Sequence, residues 1–455
     1  MKKEMGGAPT VRILTLGCAK NSVDSEVMTG LLASVGCKVV PGGRADVAIV
    51  NTCGFIRDAK EESIEEILAL GRAKERGRIR RLVVAGCMAG RYRDGLPRLL
   101  PEVDLFVGPG DLPALPGLIR KLLDGEAPRS HVVERALPDE AYRHRMPGGA
   151  GPSAYLKILD GCDNRCSYCT IPAIRGPLAS RRKGSILAEA RMLVRRGARE
   201  INLIGQDITT YGAERGEKGA LASLVREICG IQGLRWVRLL YLYPGRIGDD
   251  LIDLLATEEK VCRYLDVPVQ HIDAGVLARM GRRYGPEDVL TLVGRLRERV
   301  PGIFLRTSLI VGFPGETARA FDRLLRFVHE TRWDFLGVFP YSREEGTPAY
   351  AMRCQVPEKV KRERARRIQD AQADILSARN AALVGEEVEV LVEKTLSGGR
   401  AVGRHRGQAP EVDGSVLLSG YAGPPGRICR ARVTGAREWD LYAGPGAAES
   451  GRKTG

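Results

Sequence analysis

The chain has 455 residues, which is enough for two or three domains rather than one. Its apolar fraction of 44% and charged fraction of 28% are those of a globular protein that can bury large cores, and its net charge of +15 favours an anionic partner or a ribosomal setting. The first residues contain no apolar segment and no apolar run approaches membrane-spanning length, so we expect a cytoplasmic protein with no membrane partner.

The first third of the chain alternates strand-like and helical segments. Four apolar runs predict strands at residues 11–16, 45–50, 81–85 and 103–107. A helix is predicted to begin at Ser22, with Asp24 and Glu26 near the positive end of its dipole. Strands that alternate with helices indicate a parallel α/β domain, which we place at residues 10–126.

Three cysteines of this domain directly follow predicted strands: Cys18, Cys53 and Cys87. The carboxyl ends of parallel strands meet at one edge of a sheet, so thiols far apart in sequence can converge there. The cytoplasm keeps thiols reduced, which favours metal ligation over disulfides. We therefore predict a three-cysteine iron site with one open iron, and the alternative is three separately buried thiols. Cys37 lies inside a short strand pattern and is expected to be a small buried hydrophobe.

The middle of the chain begins with a segment rich in Pro, Gly and Arg, which predicts a solvated linker at residues 127–150. This linker contains the basic triplet of Arg143, His144 and Arg145. Beyond it, six strand-like runs begin near residues 155, 200, 236, 264, 303 and 335. Six strand–helix units predict an open partial barrel, with its reactive end at the carboxyl ends of the strands.

A cysteine motif, C-x3-C-x2-C, follows the first strand of this barrel and consists of Cys162, Cys166 and Cys169. Three closely spaced thiolates can hold three irons of a cubane cluster and leave the fourth iron open to a small molecule. The alternative is a zinc site, which normally has four nitrogen or sulfur ligands and favours C-x2-C pairs.

This spacing resembles that of the radical S-adenosylmethionine (SAM) superfamily. The resemblance implies a (β/α)6 core, a 4Fe-4S cluster on the three cysteines, and a SAM molecule bound through its amino and carboxylate groups to the open iron. It also implies that an electron from the cluster splits SAM, which yields a 5′-deoxyadenosyl radical that abstracts an unactivated hydrogen.

The same resemblance implies that residues at the other strand ends bind SAM. The candidates are Tyr168, Gly205, Gln206, Gln270 and Gly312, with Tyr168 against the adenine. A glycine after a strand is often only a turn, so these assignments have a structural alternative. His271 is expected to be a structural histidine with no catalytic role.

Two basic runs stand out in the sequence. The first extends from Arg175 to Arg199 and holds eight basic residues and one acid, Glu189. The second extends from Lys359 to Arg367. Each is compatible with a solvated helix face and with a nucleic-acid footprint.

The end of the chain predicts a long helix from Pro357 to Leu383, followed by short strands with Gly-rich turns. Such strands indicate a small β-barrel, which resembles a TRAM domain and which we place at residues 381–445. Its eight basic and eight acidic residues balance, which suits a basic protein better than RNA. Residues 446–455 are predicted to be a disordered tail.

The domain order resembles that of the methylthiotransferases, with the radical-SAM core at residues 151–380. The resemblance implies that Cys18, Cys53 and Cys87 hold an auxiliary 4Fe-4S cluster that carries or donates sulfur. Within the family, four stretches resemble the RimO branch: Leu16–Asn21, Ile174–Arg181, Leu239–Pro244 and Ala409–Gly414.

Membership of this branch implies an enzyme that adds a methylthio group to the β-carbon of an aspartate in ribosomal protein S-twelve of the small subunit. One SAM would supply the methyl group, and a second would supply the radical that removes hydrogen from that carbon. Removal of this hydrogen as an atom suits a C–H bond that has no acidic proton for a general base. The implied partners are the ribosomal protein or the small subunit, a sulfur donor, and a reductant such as flavodoxin or ferredoxin.

Three alternatives remain at this point. The MiaB-like branch modifies an adenosine of transfer RNA and is favoured by the basic run from Arg175 to Arg199. A simpler radical-SAM enzyme would carry one cluster. A non-enzymatic RNA-binding protein would carry zinc instead of iron.

Overall fold

The computed structural model of the chain describes residues 8–133, 136–148 and 151–446. Two six-stranded parallel sheets are followed by a closed five-stranded barrel, and a two-stranded ladder lies beside the second sheet. The predicted fold class, with two parallel α/β regions and a C-terminal all-β barrel, is confirmed. The tail predicted at 446–455 lies outside the described residues apart from Gly446.

The first sheet has the strand order β2-β1-β3-β4-β5-β6, and all its strands are parallel. Its strands are β1 Thr10–Thr15, β2 Lys38–Val40, β3 Ala45–Thr52, β4 Ile79–Gly86, β5 Leu105–Val107 and β6 Ser130–His131. Its helices are α1 Ala19–Ser34, α2 Arg57–Glu75, α3 Cys87–Tyr92, α4 Leu96–Leu99 and α5 Leu115–Asp124. Helices cover both faces, since α1 and α5 pack on one side and α2 on the other. Strands buried on both faces are apolar along their length, which explains the unbroken apolar runs.

The first helix starts earlier than predicted. It begins at Ala19 with Cys18 at its N-cap, so Ser22 lies inside the helix and the prediction that Ser22 starts it is wrong. Its first turn contains no acidic residue, because Asp24 and Glu26 lie further along. Their carboxylates instead pair with cations of other segments.

The second sheet has the order β14-β13-β12-β11-β10-β7 and is open between its two edge strands. Its six parallel strands are β7 Ser153–Lys157, β10 Glu200–Ile204, β11 Trp236–Leu239, β12 Val261–Asp266, β13 Phe304–Val311 and β14 Phe335–Pro340. The short ladder consists of β8 Leu159–Asp160 and β9 Ala179–Ser180. The six strand–helix units predicted for this region are present.

Helices cover the outer face of the second sheet and form a large apolar core with it. They are α6 Ile171–Arg175, α7 Lys183–Arg195, α8 Ala220–Cys229, α9 Asp249–Thr257, α10 Ala274–Arg279, α11 Pro286–Arg299, α12 Ala318–Thr331 and α13 Glu358–Ala382. The last of them is the long helix predicted before the barrel, and it packs against α12 and β14.

The described residues of the segment predicted as a linker, 127–133 and 136–148, contact the rest of the protein. Its first part forms β6, so the first sheet extends beyond residue 126. Arg145 is buried and pairs with Glu26 of α1 and Glu189 of α7. The expectation that the basic triplet is solvated is therefore wrong for Arg145, because carboxylates from both α/β regions neutralise it.

The C-terminal barrel consists of β15 Glu387–Leu396, β16 Arg400–His405, β17 Val416–Ser419, β18 Ile428–Arg437 and β19 Asp440–Pro445. The loop between β16 and β17 contacts the second sheet at β12 and β13. Asp413 of this loop accepts a hydrogen bond from the Tyr264 hydroxyl over 2.6 Å and pairs with Arg306. Glu200 of β10 pairs with Arg404 of β16. The barrel is thus joined to the second sheet by buried polar contacts.

None of the helices among the described residues is long and apolar enough to cross a membrane.

Candidate functional site

Three loops of the first sheet bring Cys18, Cys53 and Cys87 to one edge. Cys18 caps α1 after β1, Cys53 follows β3, and Cys87 begins α3 directly after β4. These three strands are neighbours in the sheet. The loops are in close contact: a Cβ atom added to Gly17 would lie 2.9 Å from the Cys53 Cβ and 3.4 Å from its Sγ. The convergence expected from sequence is present in the structure.

Asn21 holds these loops together, a role that the sequence did not reveal. Its side-chain nitrogen donates to the carbonyl oxygens of Leu16 and Thr52, the residues that lie before the first two cysteines. Its side-chain oxygen lies 3.6 Å from the Cys87 Sγ. One buried amide therefore contacts all three loops. Its position three residues after Cys18, at the start of a helix, is the signal that could have identified it.

The protein environment acts differently on the three thiols. Burial raises the pKa of Cys53 to about 11 and raises the pKa of Cys87, with the Arg175 guanidinium opposing the rise at Cys87. Desolvation would also raise the pKa of Cys18, but the charges of Lys20 and Arg175 and two backbone N–H groups outweigh it and lower that pKa. A metal that binds here must displace protons from the buried thiols, so metal binding and thiol ionisation are coupled.

The second trio lies on the loop between β8 and α6, after the first strand of the second sheet. The Cys169 amide donates to the Cys166 carbonyl over 3.0 Å, which folds the loop into a tight turn. Arg282 approaches the Cys166 Sγ to 3.7 Å. Burial raises the pKa of Cys162 to about 11 and that of Cys169 to about 12.

Hydrogen bonds of Ser167 to neighbouring segments hold this loop in place. The Ser167 amide donates to the carbonyl oxygen of Met280, and the Ser167 carbonyl accepts from the Ala349 amide over 2.8 Å. The Ser167 hydroxyl donates to the carbonyl oxygen of Arg279. The three thiols are therefore carried on a backbone that is fixed before any ligand binds, which suits a preformed site.

The two trios are connected by a buried ionic cluster. Arg175, at the end of α6, pairs with Asp24 at 2.9 Å and with Asp160 at 3.1 Å. Lys157 pairs with the same two carboxylates, at 2.6 Å and 3.0 Å. Arg175 also donates to the Cys87 Sγ over 3.4 Å. Two cations and two anions neutralise each other, so these buried charges satisfy the general requirement for pairing.

The sequence offered one clue to this cluster. Lys157 interrupts the apolar run of residues 155–159, where it is the last residue of β7, and it is completely buried. A charged residue inside a buried strand requires a partner, but its position does not say which residue provides one. Asp24 is more than a hundred residues away in the chain, so only the fold brings it to Lys157.

Neither trio is arranged for a single ion. Among residues 8–133, 136–148 and 151–446, no group of three or more His, Cys, Asp or Glu side chains could hold one metal ion. A cubane cluster differs because each of its irons takes a separate cysteine thiolate. Each loop system presents three thiols beside a cation, which is a donor set of the kind that such a cluster takes; Cys18 is exposed and the other five are buried or half-buried.

Of the predicted SAM-binding residues, Tyr168 belongs to the loop of the second trio, and Gln270 and Gly312 follow the strands β12 and β13. The Tyr168 ring packs edge-on against Phe313, with centroids 6.4 Å apart. Gln270 and Gly312 have φ angles of +64° and +73°. Gln270 bridges to β13, since its amide donates to the Ser308 carbonyl over 2.8 Å. The Gly312 amide donates to the Glu316 carboxylate.

Gly205 and Gln206, at the end of β10, lie closer to the ionic cluster. The Gln206 side-chain nitrogen donates to Asp160 over 3.0 Å, while its side-chain oxygen is buried and has no hydrogen-bond partner among the described residues. A buried orphan acceptor is costly, which is compatible with a ligand that donates to it. Tyr168, Gly205, Gln206, Gln270 and Gly312 remain predicted SAM contacts.

His271 is completely buried, and its Nδ1 accepts from the Asp273 amide over 2.9 Å. Burial lowers its pKa to about 3, so the imidazole is neutral at physiological pH. These features agree with the structural role expected for it.

The basic run from Arg175 to Arg199 divides into two sets. Arg175 and Arg181 are buried in ion pairs, Arg181 with Asp139 and Glu189. The arginines of α7, by contrast, are exposed. A solvated face or a nucleic-acid footprint therefore applies only to the exposed part.

Lys20 was not singled out from the sequence, yet it lies between the two regions. Its Nζ is 3.3 Å from the Gly205 carbonyl oxygen and 3.4 Å from the centre of the Tyr241 ring. Tyr241 has a φ of +64°, a conformation that is strained for a bulky residue and that is often found at functional sites.

Comparison with known protein families divides the chain into three matched regions. Residues 10–108 match the family described as uncharacterized protein family UPF0004. Residues 156–328 match the radical SAM superfamily, and residues 384–445 match the TRAM domain.

Among curated proteins, the chain is similar to the ribosomal protein uS12 methylthiotransferase RimO of several bacteria. It is 48% identical over 441 residues to that of Syntrophotalea carbinolica, which covers 95% of each chain. It is 48% identical to that of Geobacter sulfurreducens, with 95% of this chain and 97% of the relative covered. The protein of Heliobacterium modesticaldum is 47% identical, with 95% and 94% covered.

Solved structures share the fold at low sequence identity. The radical SAM methyltransferase TsrM from Kitasatospora setae, with cobalamin and a 4Fe-4S cluster bound, has a TM-score of 0.55 and 19% identity, and the match covers 75% of this chain and 77% of that chain. The cobalamin-dependent SAM radical enzyme OxsB has a TM-score of 0.52 and 13% identity, covering 80% of this chain and 56% of that one.

Proposed function

Because the chain belongs to the family of ribosomal protein uS12 methylthiotransferases, we propose that it adds a methylthio group to the β-carbon of an aspartate in that protein, the S-twelve of the small subunit. The observation that carries the proposal is the contact between Arg175, six residues after Cys169, and the Sγ of Cys87. This contact joins the loops of the two cysteine trios, and the reaction needs both.

We propose that Cys18, Cys53 and Cys87 hold the auxiliary 4Fe-4S cluster, and that the radical-SAM cluster is held by the second trio, Cys162, Cys166 and Cys169. When bound, these clusters and SAM supply the electron, the methyl group and the sulfur that the reaction consumes. The protein's contribution is to fix both sets of thiolates and to neutralise the charge between them. Arg175 does so directly at Cys87, and Arg282 at Cys166.

The residues proposed to bind SAM are Tyr168, Gly205, Gln206, Gln270 and Gly312. Tyr168 is a half-buried ring that packs against the apolar group of Phe313 and suits contact with a planar adenine, and Gly312 directly precedes Phe313 in the chain. The orphan oxygen of Gln206 is a free acceptor for an N–H or O–H donor. A SAM-binding measurement on Gln206→Leu would test this role, with unchanged affinity arguing against it.

We propose domain limits at residues 10–126 for the auxiliary-cluster domain, 151–380 for the radical-SAM core and 381–445 for the TRAM domain. The intervening residues 127–150 connect the first two, and 446–455 form the tail. The shared contacts of Arg145 suggest that the connection also holds the first two domains together.

We propose a cytoplasmic enzyme that needs a reductant such as flavodoxin or ferredoxin and a separate sulfur donor. Its eleven cysteines, all among the described residues, are free thiols. Thiols that must ligate iron require a reducing compartment.

The decisive experiment offers anaerobically reconstituted protein both uS12 and transfer RNA, and detects a methylthio addition by mass spectrometry. We expect modification of uS12 alone. Modification of RNA alone would instead favour the transfer RNA reaction, for which the exposed arginines of α7 would supply the contacts. Zinc without iron or sulfide in the anaerobically purified protein would indicate a non-enzymatic role.

A further inference from the structure

The ammonium group of Lys20 occupies the space where the two α/β regions face each other. Lys20 is the second residue of α1 and lies two residues after Cys18. Its side chain crosses to the second sheet, where Nζ donates to the Gly205 carbonyl over 3.3 Å at the end of β10. It also lies 3.4 Å from the centre of the Tyr241 ring, beyond the end of β11. Lys20 thus connects the auxiliary trio with the mouth of the barrel.

Three other cations near this mouth already have carboxylate partners, and Arg282 instead contacts the Cys166 Sγ and the Pro268 carbonyl oxygen. Arg175 and Lys157 share Asp24 and Asp160. Arg306 pairs with Asp413 of the TRAM loop. Within the described part of the chain, Lys20 has no carboxylate at ion-pair distance.

The contacts of Lys20 leave it able to bind an anion. An ammonium group has three N–H donors, and the Gly205 carbonyl takes one of them. The Tyr241 ring contributes an attraction through its π face but no counter-charge. The acidic group near Lys20 on its own side is the Cys18 thiol, whose pKa it helps to lower, and no carboxylate of the described residues pairs with it. A partly buried cation in this position is stabilised further when an anion arrives. The position therefore favours a small anionic group.

Asp266 at the end of β12 is the carboxylate that competes for this role. It accepts from the Tyr241 amide over 3.1 Å and lies 3.8 Å from the Arg306 Nε. Its interactions are thus directed toward Tyr241 and Arg306. The negative charge of Asp266 repels a second carboxylate placed close to it. A substrate carboxylate is therefore expected on the side where Lys20 lies.

We propose that Lys20 binds the side-chain carboxylate of the substrate aspartate, an inference that rests on the proposed function. The β-carbon of an aspartate is bonded directly to the carboxyl carbon. A carboxylate held by Lys20 therefore leaves the reacting carbon beside the auxiliary trio on one side and the barrel mouth on the other. Lys20 acts as a substrate-binding residue that selects an acid over its amide.

The test measures the affinity of the reconstituted enzyme for uS12 and for a uS12 variant in which the target aspartate is replaced by asparagine. Wild-type enzyme is expected to bind the aspartate form about ten- to a hundredfold more tightly, the worth of a hydrogen bond to a charged group. Lys20→Met is expected to bind both forms equally, and Lys20→Arg to restore part of the preference. Lys38→Met, at an exposed lysine on β2, is the matched control and keeps the full preference.

Iron and sulfide contents of each variant show whether its clusters are loaded. If Lys20→Met does not load iron, Lys20→Arg decides, since a retained charge should keep the preference. A preference for aspartate that persists in loaded Lys20→Met would overturn the assignment, and Lys20 would then only balance the charge of the auxiliary site. Wild-type enzyme that neither binds nor modifies uS12 would overturn the proposed function, and this inference with it.

Discussion

The Arg175 guanidinium donates a hydrogen bond to the Cys87 thiol over 3.4 Å, although the two residues belong to helices of different α/β regions. The same guanidinium contacts Asp24 of the first region and Asp160 of the second. Because α6 begins just after Cys169, its five residues connect the second cysteine loop directly to this contact. The relative placement of the two trios is therefore a property of the folded chain rather than of a bound group.

Replacement of Cys18, Cys53 and Cys87 together by Ala should halve the iron and sulfide content of the reconstituted protein. Replacement of the second trio should remove the other half, since each set would hold one cluster. Chemical analysis after anaerobic reconstitution measures both. Cys37→Ala serves as the control and should retain the full content. Full iron after loss of the first trio would indicate a one-cluster enzyme.

Arg175→Met should destabilise the protein by about 3–5 kcal/mol, because it leaves two buried carboxylates with Lys157 as the one remaining cation that pairs with them in the described part of the chain. Urea unfolding of the metal-free protein, followed by circular dichroism, gives the free energy of unfolding. Arg191→Met removes an exposed arginine of α7 and should change it by less than about 0.5 kcal/mol. Equal effects of the two substitutions would show that the buried pairing contributes nothing to stability.

Glu200 should make the stability pH-dependent below neutrality. Burial would raise its pKa, but the Arg404 and Arg238 guanidinium groups outweigh burial and lower it from 4.5 to about 2. The folded state therefore holds this proton less tightly than the unfolded state. The stabilisation is fully present above about pH 5 and is lost as the pH falls toward 2.

The contribution of the Glu200 carboxylate at neutral pH is about 3 kcal/mol by this linkage. The difference in unfolding free energy between wild type and Glu200→Gln should therefore stay constant down to about pH 5 and then shrink as the pH falls to about 3. Glu298→Gln, at an exposed position of α11, provides the comparison and should show little dependence. A difference that stays constant over this range would contradict the shifted pKa.

Gly30→Ala should be strongly destabilising although it lies within helix α1. A Cβ at this position would overlap the carbonyl oxygen of His144, because the connecting segment packs directly on the helix. Overpacking of this kind costs about 1–3 kcal/mol. Gly294→Ala in α11 has open space around its new Cβ and should stabilise by about 0.5–1 kcal/mol. Thermal unfolding of both variants measures the contrast, and a stabilised Gly30→Ala would show that the segment is not fixed.

The sequence was sufficient for those features that depend on local pattern. Apolar runs identified the strands, and the position of Cys18, Cys53 and Cys87 just after strands predicted where they meet. The order of parallel strands then brings the three to one edge without further information. The C-x3-C-x2-C spacing placed the second trio on the first loop of the barrel.

The features that could not be predicted depend on contacts between distant segments. Arg145 looked like part of a solvated linker until the fold placed Glu26 and Glu189 beside it. Lys20 and Arg175 look like ordinary charged residues in the sequence. Their contacts are determined by how the two α/β regions pack against each other. The entry of Asp413 into the second sheet likewise depends on how the barrel docks.

The shared ionic cluster limits how the protein can be dissected. A fragment that ended before residue 151 would expose Asp24 to water without its partner Lys157. The remaining fragment would keep Lys157, Arg175 and Asp160, so two cations would share a single carboxylate. Each half would also expose the apolar residues that now continue across the junction. Chimaeras made with relatives should therefore take both halves from the same protein, or take Asp24 and its partners from the same protein.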